Sequence, residues 1–210
     1  MSPTVTRPRP AAARKASAAA DSARTSLTPD TWIDAATAVL VDQGIDHVRV
    51  DVLATQLSVT RGSFYWHFRD REDLLRRVLQ TWSERTTEQL TRRLETAHTD
   101  PRAQLRDVIS LPFRGRAAAR AARIELAIRA WARRDDTARQ AVDAADSARI
   151  AYHTQVFAAL GFGAEEAAMR AFLLYSYEVA ESVLNRQGTA AQKQARSAFV
   201  ERLMLQPLVA

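Results

Sequence analysis

The stretch SVTRGSFYWHFRDRED, residues 58–73, decides how the rest of the chain is organised. Val59, Phe64 and Phe68 are apolar anchors, and the last two fall on one side of a helix that opens at Thr60. The other side and its flank carry polar and aromatic side chains, namely Thr60, Arg61, Ser63, Tyr65, Trp66 and His67. A core helix does not usually turn a Trp, a His and an Arg away from its anchors. This face therefore predicts a surface helix that binds a partner rich in hydrogen-bonding groups, such as the base edges and phosphates of DNA.

Two segments before this stretch predict helices that pack against it. Thr28 and Pro29 are suited to open a helix, and Gly44 is suited to end it. Between them an apolar stripe repeats at helical spacing, formed by Trp32, Ala35, Ala36, Val39 and Leu40. A second helix is predicted at residues 50–57. Only three residues separate it from the helix that opens at Thr60, which is the turn length of a helix-turn-helix.

The remainder of the chain also predicts helices, so we assign the all-α fold class. Only 6 Gly and 7 Pro occur in 210 residues, which disfavours a sheet protein with many tight turns. A long helix is predicted after Phe68, and further helices at 101–113, 117–134, 136–160, 164–185 and 189–205. We predict a disordered basic arm at 1–26, a helix-turn-helix domain at 27–72 and a helical domain at 73–210.

The net charge of +6 at pH 7 is distributed unevenly along the chain. Residues 1–26 carry five basic residues and one acidic residue, a net charge of +4. Residues 27–71 carry four arginines and six aspartates, a net charge of −2. The predicted helix-turn-helix is therefore not basic overall, and affinity for DNA would have to come from a few cations near Thr60, from helix N-termini and from the arm.

Several protein classes are disfavoured by what the sequence lacks. The absence of Cys excludes disulfides and thiolate metal sites, and His47, His98 and His153 have no second His at helical spacing. No apolar run approaches the roughly 20 residues that span a bilayer, and no secretion signal is found, which predicts a cytoplasmic location. The chain has no glycine-rich phosphate loop, GxSxG elbow or HExxH motif. We therefore predict no enzyme activity, no cofactor and no metal.

The last two predicted helices mix small and large side chains, which lets helices approach each other closely. We predict that they pack against their copies in a second subunit as a four-helix bundle. The residues assigned to this interface are Ala168, Ala171, Phe172, Tyr175, Ala195, Ala198, Phe199 and Leu203. The alternative is that both helices only close the core of one subunit.

Residues 48–75, VRVDVLATQLSVTRGSFYWHFRDREDLL, resemble the helix-turn-helix of TetR-family transcriptional regulators, and residues 28–44 fit its first helix. The C-terminal two thirds resemble the family only in length and helical character. The resemblance implies a C-terminal domain for ligand binding and dimerisation, and a homodimer that reads a palindromic DNA operator. It further implies a repressor that a small apolar ligand releases from DNA. The alternatives are a ligand-independent or activating regulator, and a helical interaction protein that does not bind DNA.

Carried over by position, the resemblance implies a set of DNA contacts: Arg49, Thr60, Arg61, Gly62, Ser63, Tyr65, Trp66, His67 and Arg71. Arg71 stands where the family usually has Lys, and it would hold a phosphate. Trp66 has an alternative place against the core or the fourth helix. Two positions depart from the family pattern. Arg49 and Val50 stand where a Thr usually caps the second helix, and Ser58 stands where Gly is usual, which predicts mild strain in a left-handed backbone.

Large aromatic side chains on the central helices are the candidates for ligand binding, namely Phe113, Trp131, Tyr152, Phe157 and Tyr175. The alternative for each of them is an ordinary place in a helical core. A membrane partner is not predicted, because the basic arm lacks the bulky apolar residues that insert into lipid.

Overall fold

A computed structural model describes residues 27–88, 91–92, 96, 99–111, 115–184 and 187–207. These residues form helices and no strand, which confirms the all-α prediction. The helices are α1 (Pro29–Gln43), α2 (Val50–Gln56), α3 (Arg61–Phe64), α4 (Arg71–Ser83), α5 (Pro101–Ser110), α6 (Gly115–Ala132), α7 (Asp136–Ala159), α8 (Ala164–Val183) and α9 (Ala190–Leu205). A 3-10 turn, Ile45–His47, follows α1, and a π-helical turn, Glu84–Glu88, continues α4. Among the described helices, none has the combination of length and apolar character that crossing a membrane requires.

The helices begin and end close to the predicted residues because local capping groups fix them. The Thr28 hydroxyl accepts a hydrogen bond from the Thr31 amide, and Gly44 ends α1 with a φ of +86°. Asp70 caps α4, since its Oδ1 accepts from the Asp73 amide at 2.7 Å. The predicted arm at 1–26 and the ligand candidate Phe113 lie outside the described residues.

The described core consists of two clusters, and α7 contributes to both. The first cluster joins α1–α4 to α6 and the first half of α7, and its members include Trp32, Phe64, Phe68, Leu74, Trp82, Ile128, Trp131 and Val142. The second cluster joins α5, the second half of α7, α8 and α9, and its members include Leu105, Tyr152, Phe157, Ala171, Leu174 and Met204. The N-terminal helices are thus packed on α6 and α7 through apolar contacts.

Exposed ion pairs also join the acidic α1 segment to helices further along the chain. Their members are Asp34 with Arg85, Asp42 with Arg123 and Asp46 with Arg134, at N–O distances of 3.4, 2.9 and 3.6 Å. Exposed pairs of this kind contribute little stability, about 0–1 kcal/mol each. They do show that three of the six aspartates of residues 27–71 are paired with arginines further along the chain.

The turn between α2 and α3 has the left-handed backbone that the sequence predicts at Ser58, whose φ is +56°. The Ser58 amide donates to Thr55 O at 3.1 Å, and the Val59 amide donates to Ala54 O at 2.9 Å. This pair of bonds is a Schellman motif, in which the left-handed position is usually Gly. Ser58 is the one non-glycine residue with positive φ among those described.

Candidate functional site

Helix α3 is held in place by an aromatic cluster on its inner side. Phe64 is fully buried and Phe68 is 2% exposed. Their rings stack with centroids 5.2 Å apart, and the edge of the Trp32 ring meets Phe64 at 5.3 Å. Burial of side chains of this size contributes about 1.5–3 kcal/mol each. These anchors fix which side of α3 faces solvent.

The outer side of α3 and of the turn after it is exposed. Trp66 is 87% exposed and Tyr65 is 56% exposed, whereas His67 is partly buried. The alternative place for Trp66, against the core or the fourth helix, is therefore wrong in this structure. Thr60 occupies the N-cap position without a capping bond from its side chain, which leaves its hydroxyl available to a partner. Gly62 is also exposed.

The arginines near α3 differ in whether an acidic side chain of the protein pairs with them. Arg61 is exposed, and it makes no ion pair with any residue that the structure describes. Arg49 occupies the N-cap position of α2, as predicted, but its guanidinium lies 2.7 Å from Asp51. The hydrogen bond from Arg49 holds the pKa of the Asp51 carboxyl below its ordinary value. Arg61 is thus the cation here without an ion-pair partner among the described residues, while the exposed Arg69 lies 4.0 Å from Asp73.

Arg71 has a different role from the phosphate contact that the family position implies. Its Nε donates to Val48 O at 2.6 Å, and its Nη2 donates to Ile45 O at 2.9 Å. Two main-chain carbonyls of the α1–α2 connection therefore engage this guanidinium. Arg71 thus ties the start of α4 to that connection, and the contact of its charge with a phosphate stays a prediction.

A cavity of about 500 Å3 lies deeper in the protein, between α6, α7 and α8. One wall is apolar and consists mainly of Leu111, Ala117, Ala118, Ala121 and Ala122. The opposite wall is polar and consists mainly of Glu125, Arg149, Tyr152, His153, Tyr175 and Glu178. Arg85 and Thr86, from the π-helical turn that continues α4, complete the polar side. The volume lies in the range of small-molecule sites.

Two of the aromatic ligand candidates, Tyr152 and Tyr175, line this cavity. Trp131 instead packs in the first core cluster and Phe157 in the second, so neither lines it. Sequence reasoning missed the charged members of the wall. His153 had been considered only as a metal ligand, although its position one residue after Tyr152 on a central helix was a usable signal. Within the described part of the chain, no group of three His, Asp or Glu side chains is placed to hold a metal ion.

A hydrogen-bonded network closes the polar wall. Arg149 donates to both carboxylate oxygens of Glu125, at 2.9 and 3.0 Å, and to the Thr86 hydroxyl at 3.3 Å. The Tyr175 hydroxyl accepts from Arg149 at 3.1 Å and from Arg129 at 2.8 Å. It donates to Asp146, which also pairs with Arg129. Burial alone would lower the pKa of Arg129, but Asp146 and Glu125 raise it above its ordinary value.

Residues 33–78 match the sequence model of a known family, described as bacterial regulatory proteins, tetR family. The match covers most of α1, all of α2 and α3, and the first half of α4. Two relatives from Pseudomonas putida are each 40% identical over 67 residues: the HTH-type transcriptional regulator SrpR and the uncharacterized HTH-type transcriptional regulator TtgW. The matched segment is 32% of this chain, and it covers 29% of SrpR and 46% of TtgW. The match thus spans less than half the length of these relatives.

Solved structures of TetR-type regulators share the fold over most of the chain. A transcriptional regulator from Rhodococcus sp. Rha1 superposes with a TM-score of 0.66 at 20% identity, over 85% of this chain and 94% of that one. FadR from Bacillus subtilis, solved in complex with stearoyl-CoA, gives a TM-score of 0.62 at 17% identity, over 87% of this chain and 100% of its own. At these identities the likeness establishes the fold of this chain and nothing finer.

Helices α8 and α9 expose an apolar face that the sequence predicted only in part. Its large side chains are each about half exposed: Met169, Phe172, Leu173, Val183, Leu184, Phe199 and Leu203. Of the small predicted members, Ala168, Ala195 and Ala198 are exposed as well. Ala171 and Tyr175 are not part of this face, because Ala171 is fully buried and Tyr175 is 7% exposed. These two assignments to a subunit interface are wrong, since both side chains pack inside the subunit.

The α8–α9 pair is held together by two buried ion-pairing residues. Arg170, on α8, donates to Met204 O at 2.7 Å and to Gln206 O at 2.6 Å, which satisfies carbonyls at the C-terminal end of α9. At the other end of the pair, Glu181 accepts from Arg196 at 2.7 and 3.0 Å. Contacts on the other sides of α8 and α9 therefore fix the two helices relative to each other, and the apolar face is formed by both.

Proposed function

We propose that this protein is a cytoplasmic, homodimeric DNA-binding transcriptional regulator of the TetR family, and specifically a repressor that a small molecule releases from a palindromic operator. The observation that carries the proposal is the exposure of Tyr65 and Trp66 beside two fully anchored phenylalanines, Phe64 and Phe68. Large aromatic side chains are rarely left in water at the surface of a monomer unless a partner covers them.

In the proposed complex, α3 enters the major groove of DNA. Thr60, Arg61, Gly62, Ser63 and Trp66 face the bases, and the Tyr65 and His67 side chains reach phosphates or thymine methyl groups. Arg61 is the principal cation, because Arg49 is paired with Asp51 and Arg71 with main-chain carbonyls. Three of the aspartates of residues 27–71 are already paired with arginines further along the chain, which reduces their opposition to this approach.

The exposed apolar face of α8 and α9 supports the homodimer. This face includes Met169, Phe172, Leu173 and Phe199, each of which is more than half exposed. Ordinary monomer surfaces carry scattered apolar side chains rather than several large ones on the same helices. Packing against the same face of a second copy forms a four-helix bundle with two-fold symmetry. Two α3 helices related by that axis would read the two halves of a palindrome.

The cavity supports a ligand that acts on the DNA-binding helices through α4. Thr86, in the turn that continues α4, contacts Arg149 of the cavity wall, and Arg71 at the other end of α4 holds the α1–α2 connection. A ligand that favours one position of α4 would change the spacing of the two α3 helices, and it would weaken DNA binding by its difference in affinity for the two states. The stearoyl-CoA complex of FadR shows that a relative of this fold holds a small molecule.

The test is to select fragments of genomic DNA on the immobilised protein, and then to measure the affinity of the enriched fragment by fluorescence anisotropy. Tyr65→Ala and His67→Ala are expected to weaken binding by about tenfold each, because each removes a contact worth about 1–3 kcal/mol. Gln140→Ala, at an exposed position on α7, is the matched control and should bind like the wild type. If both variants fold and bind every fragment like the wild type, α3 is not the reading element. If no fragment is enriched, the protein is a helical interaction protein instead.

A further inference from the structure

The polar groups of the cavity wall fall into a satisfied set and an unsatisfied set. The charges of Arg129 and Arg149 are answered by Glu125 and Asp146, and the Tyr175 hydroxyl completes that network. Within it, two guanidinium cations face two carboxylates. A ligand cannot replace one of these partners without leaving another buried charge unpaired, which is unfavourable.

Glu178 and His153 are left outside this network, although both line the cavity. Glu178 Oε1 is buried without a hydrogen-bond partner among the described residues, and so is His153 Nδ1. The two side chains approach each other at 3.7 Å between Glu178 Oε1 and His153 Nε2, which is too long for a hydrogen bond. His153 is only 4% exposed, so water does not readily supply the missing bond. Buried polar atoms without partners are rare in native proteins, and a missing ligand is one explanation for them.

Each of the two side chains can offer an acceptor to a ligand, and the Ala171 carbonyl can take the single ring proton of a neutral His153. Burial, aided by Arg149, lowers the pKa of His153 to about 4, so its imidazole is neutral and one ring nitrogen carries a lone pair. Burial raises the pKa of Glu178 well above its ordinary value, because no cation compensates its charge fully. A buried carboxyl in this condition becomes a carboxylate when a positive charge arrives beside it.

We propose that the cavity binds a small amphipathic molecule with a basic nitrogen, whose ammonium group donates to Glu178 and His153 while its apolar part lies against the alanine wall of α6. This inference rests on the proposed function, and it names the chemical class of the effector. It also replaces the purely apolar ligand that the family resemblance implies.

Two other ligand classes fit the wall less well. An anionic head group would seek Arg149, but that guanidinium already donates to Glu125, Tyr175 and Thr86, and the anion would face Glu178. A wholly apolar ligand would fill the volume and leave the buried atoms of Glu178 and His153 without partners, at a penalty for each. An ammonium group is the head group that donates to both acceptors and supplies the positive charge that Glu178 lacks beside it.

The test uses the full-length protein without DNA and three probes that share one apolar chain: n-octylamine, n-octanol and n-octanoate. Isothermal titration calorimetry gives each dissociation constant at pH 7. We expect octylamine to bind at least about tenfold more tightly than octanol or octanoate, since a charge-assisted hydrogen bond is about twice as strong as a neutral one. Equal affinity for the three, tighter binding of octanoate, or no binding of octylamine would each overturn the proposal.

Glu178→Gln supplies the second measurement, because it keeps the shape of the side chain and removes the charge. Octylamine should bind this variant about tenfold more weakly, whereas the affinity for octanol should not change. Glu165→Gln, at an exposed position on the same helix, is the matched control and should leave both affinities unchanged. If Glu178→Gln binds octylamine like the wild type, Glu178 does not recognise the head group and the proposal is wrong.

A third measurement separates this inference from the proposed regulatory function. The affinity for the selected DNA fragment is measured with and without octylamine. Octylamine binding that fails to weaken DNA binding would leave the assignment of the cavity intact and contradict ligand release. DNA binding in a protein that ignores octylamine would support the regulator and overturn the assignment of the cavity.

Discussion

The guanidinium of Arg71 lies 2.6 Å, by its Nε, from the carbonyl oxygen of Val48, a residue that precedes it by 23 positions. A second bond from its Nη2 to Ile45 O, at 2.9 Å, makes the contact bidentate. The first residue of α4 thereby fixes the connection between α1 and α2 and, through it, the position of the N-terminal helices. This geometry gives Arg71 a structural role, which a stability measurement can test separately from phosphate binding.

Replacement of Arg71 by Ala is expected to destabilise the fold by about 1–3 kcal/mol, because two partly buried carbonyls lose charged donors. Urea denaturation followed by circular dichroism measures this change. Arg76→Ala, which removes an exposed arginine of the same helix, is the control and should change stability by less than about 0.5 kcal/mol. An Arg71→Ala variant as stable as the wild type, with a weaker salt dependence of DNA binding, would restore the phosphate assignment.

Arg61→Ala tests where the free positive charge of the DNA-binding surface lies. Each phosphate contact contributes about 0.9 to the slope of log affinity against log salt concentration. Removal of the unpaired Arg61 should reduce the magnitude of that slope by about this amount, as measured by anisotropy titrations at several salt concentrations. Arg123→Ala is the matched control, because the charge of Arg123 is already paired with Asp42. An unchanged slope for Arg61→Ala would place the phosphate contacts elsewhere.

The parts of the structure that sequence predicts well are those fixed by local spacing. Phe64 and Phe68 are four positions apart. Phe64 ends α3, and the Phe68 amide, just beyond the helix, still donates to Phe64 O at 3.1 Å, so both rings lie on one side. Ser58 is a second case, because the resemblance to the TetR helix-turn-helix, in which Gly is usual at this position, implies the left-handed backbone that the structure has there. Neither inference needs to know what packs against the helix.

The contacts that sequence reasoning missed join distant residues. The hydrogen bond from Arg71 to Ile45 O joins residues 26 positions apart, and no periodic pattern in the sequence predicts it. Helix α8 illustrates a second reason, since both of its faces mix small and large apolar residues. Which face of α8 meets the subunit's own core is decided by the packing of α7 and α6 against it, so spacing alone assigns Ala171 and Tyr175 to the wrong side and leaves Leu173 out.

Leu173→Glu tests the apolar face of α8 and α9 as the subunit interface. In a two-fold dimer one substitution places two carboxylates in the interface, and their desolvation and repulsion are expected to raise the dimer dissociation constant about a hundredfold or more. Sedimentation velocity at micromolar concentration measures the change, and circular dichroism checks the fold. Gln155→Glu, at an exposed position on α7, should remain dimeric. If Leu173→Glu is as dimeric as the wild type, another surface forms the interface.

The buried pair of His153 and Glu178 predicts opposite dependences of stability on pH. The pKa of His153 falls from 6.5 to about 4 on folding, so the unfolded chain binds the extra proton and stability falls as pH drops from about 6.5 to 4. The pKa of Glu178 rises above 4.5 on folding, so the folded state holds the extra proton and stability falls as pH increases above 4.5. Where the two windows overlap, the two effects oppose each other in the wild type.

Glu178→Gln should remove one effect and expose the other. Its free energy of unfolding is expected to fall more steeply than that of the wild type on acidification from pH 6.5 to 5, by up to about 1.4 kcal/mol per pH unit. His153→Gln should show the opposite deviation. Urea denaturation at three pH values measures both, and His47→Gln, which changes an exposed histidine, serves as the control. If both variants instead follow the pH dependence of the wild type, the buried pair does not contribute to it and the prediction is wrong.

Ser58→Gly tests the strain in the turn before α3. A non-glycine residue in the left-handed region has an unfavourable energy of about 1–2 kcal/mol, and Gly removes it while adding about 0.5–1 kcal/mol of backbone entropy to the unfolded chain. The expected net effect is a gain in stability of up to about 1 kcal/mol, measured by urea denaturation.

Ser147→Gly, at an exposed position inside α7, should lose about 0.5 kcal/mol, because there the entropy acts without relief of strain. A loss of stability in Ser58→Gly would show that the Ser58 side chain supports the turn. DNA affinity should be unchanged in Ser58→Gly, because Phe64 and Phe68, rather than the residue at position 58, fix the orientation of α3.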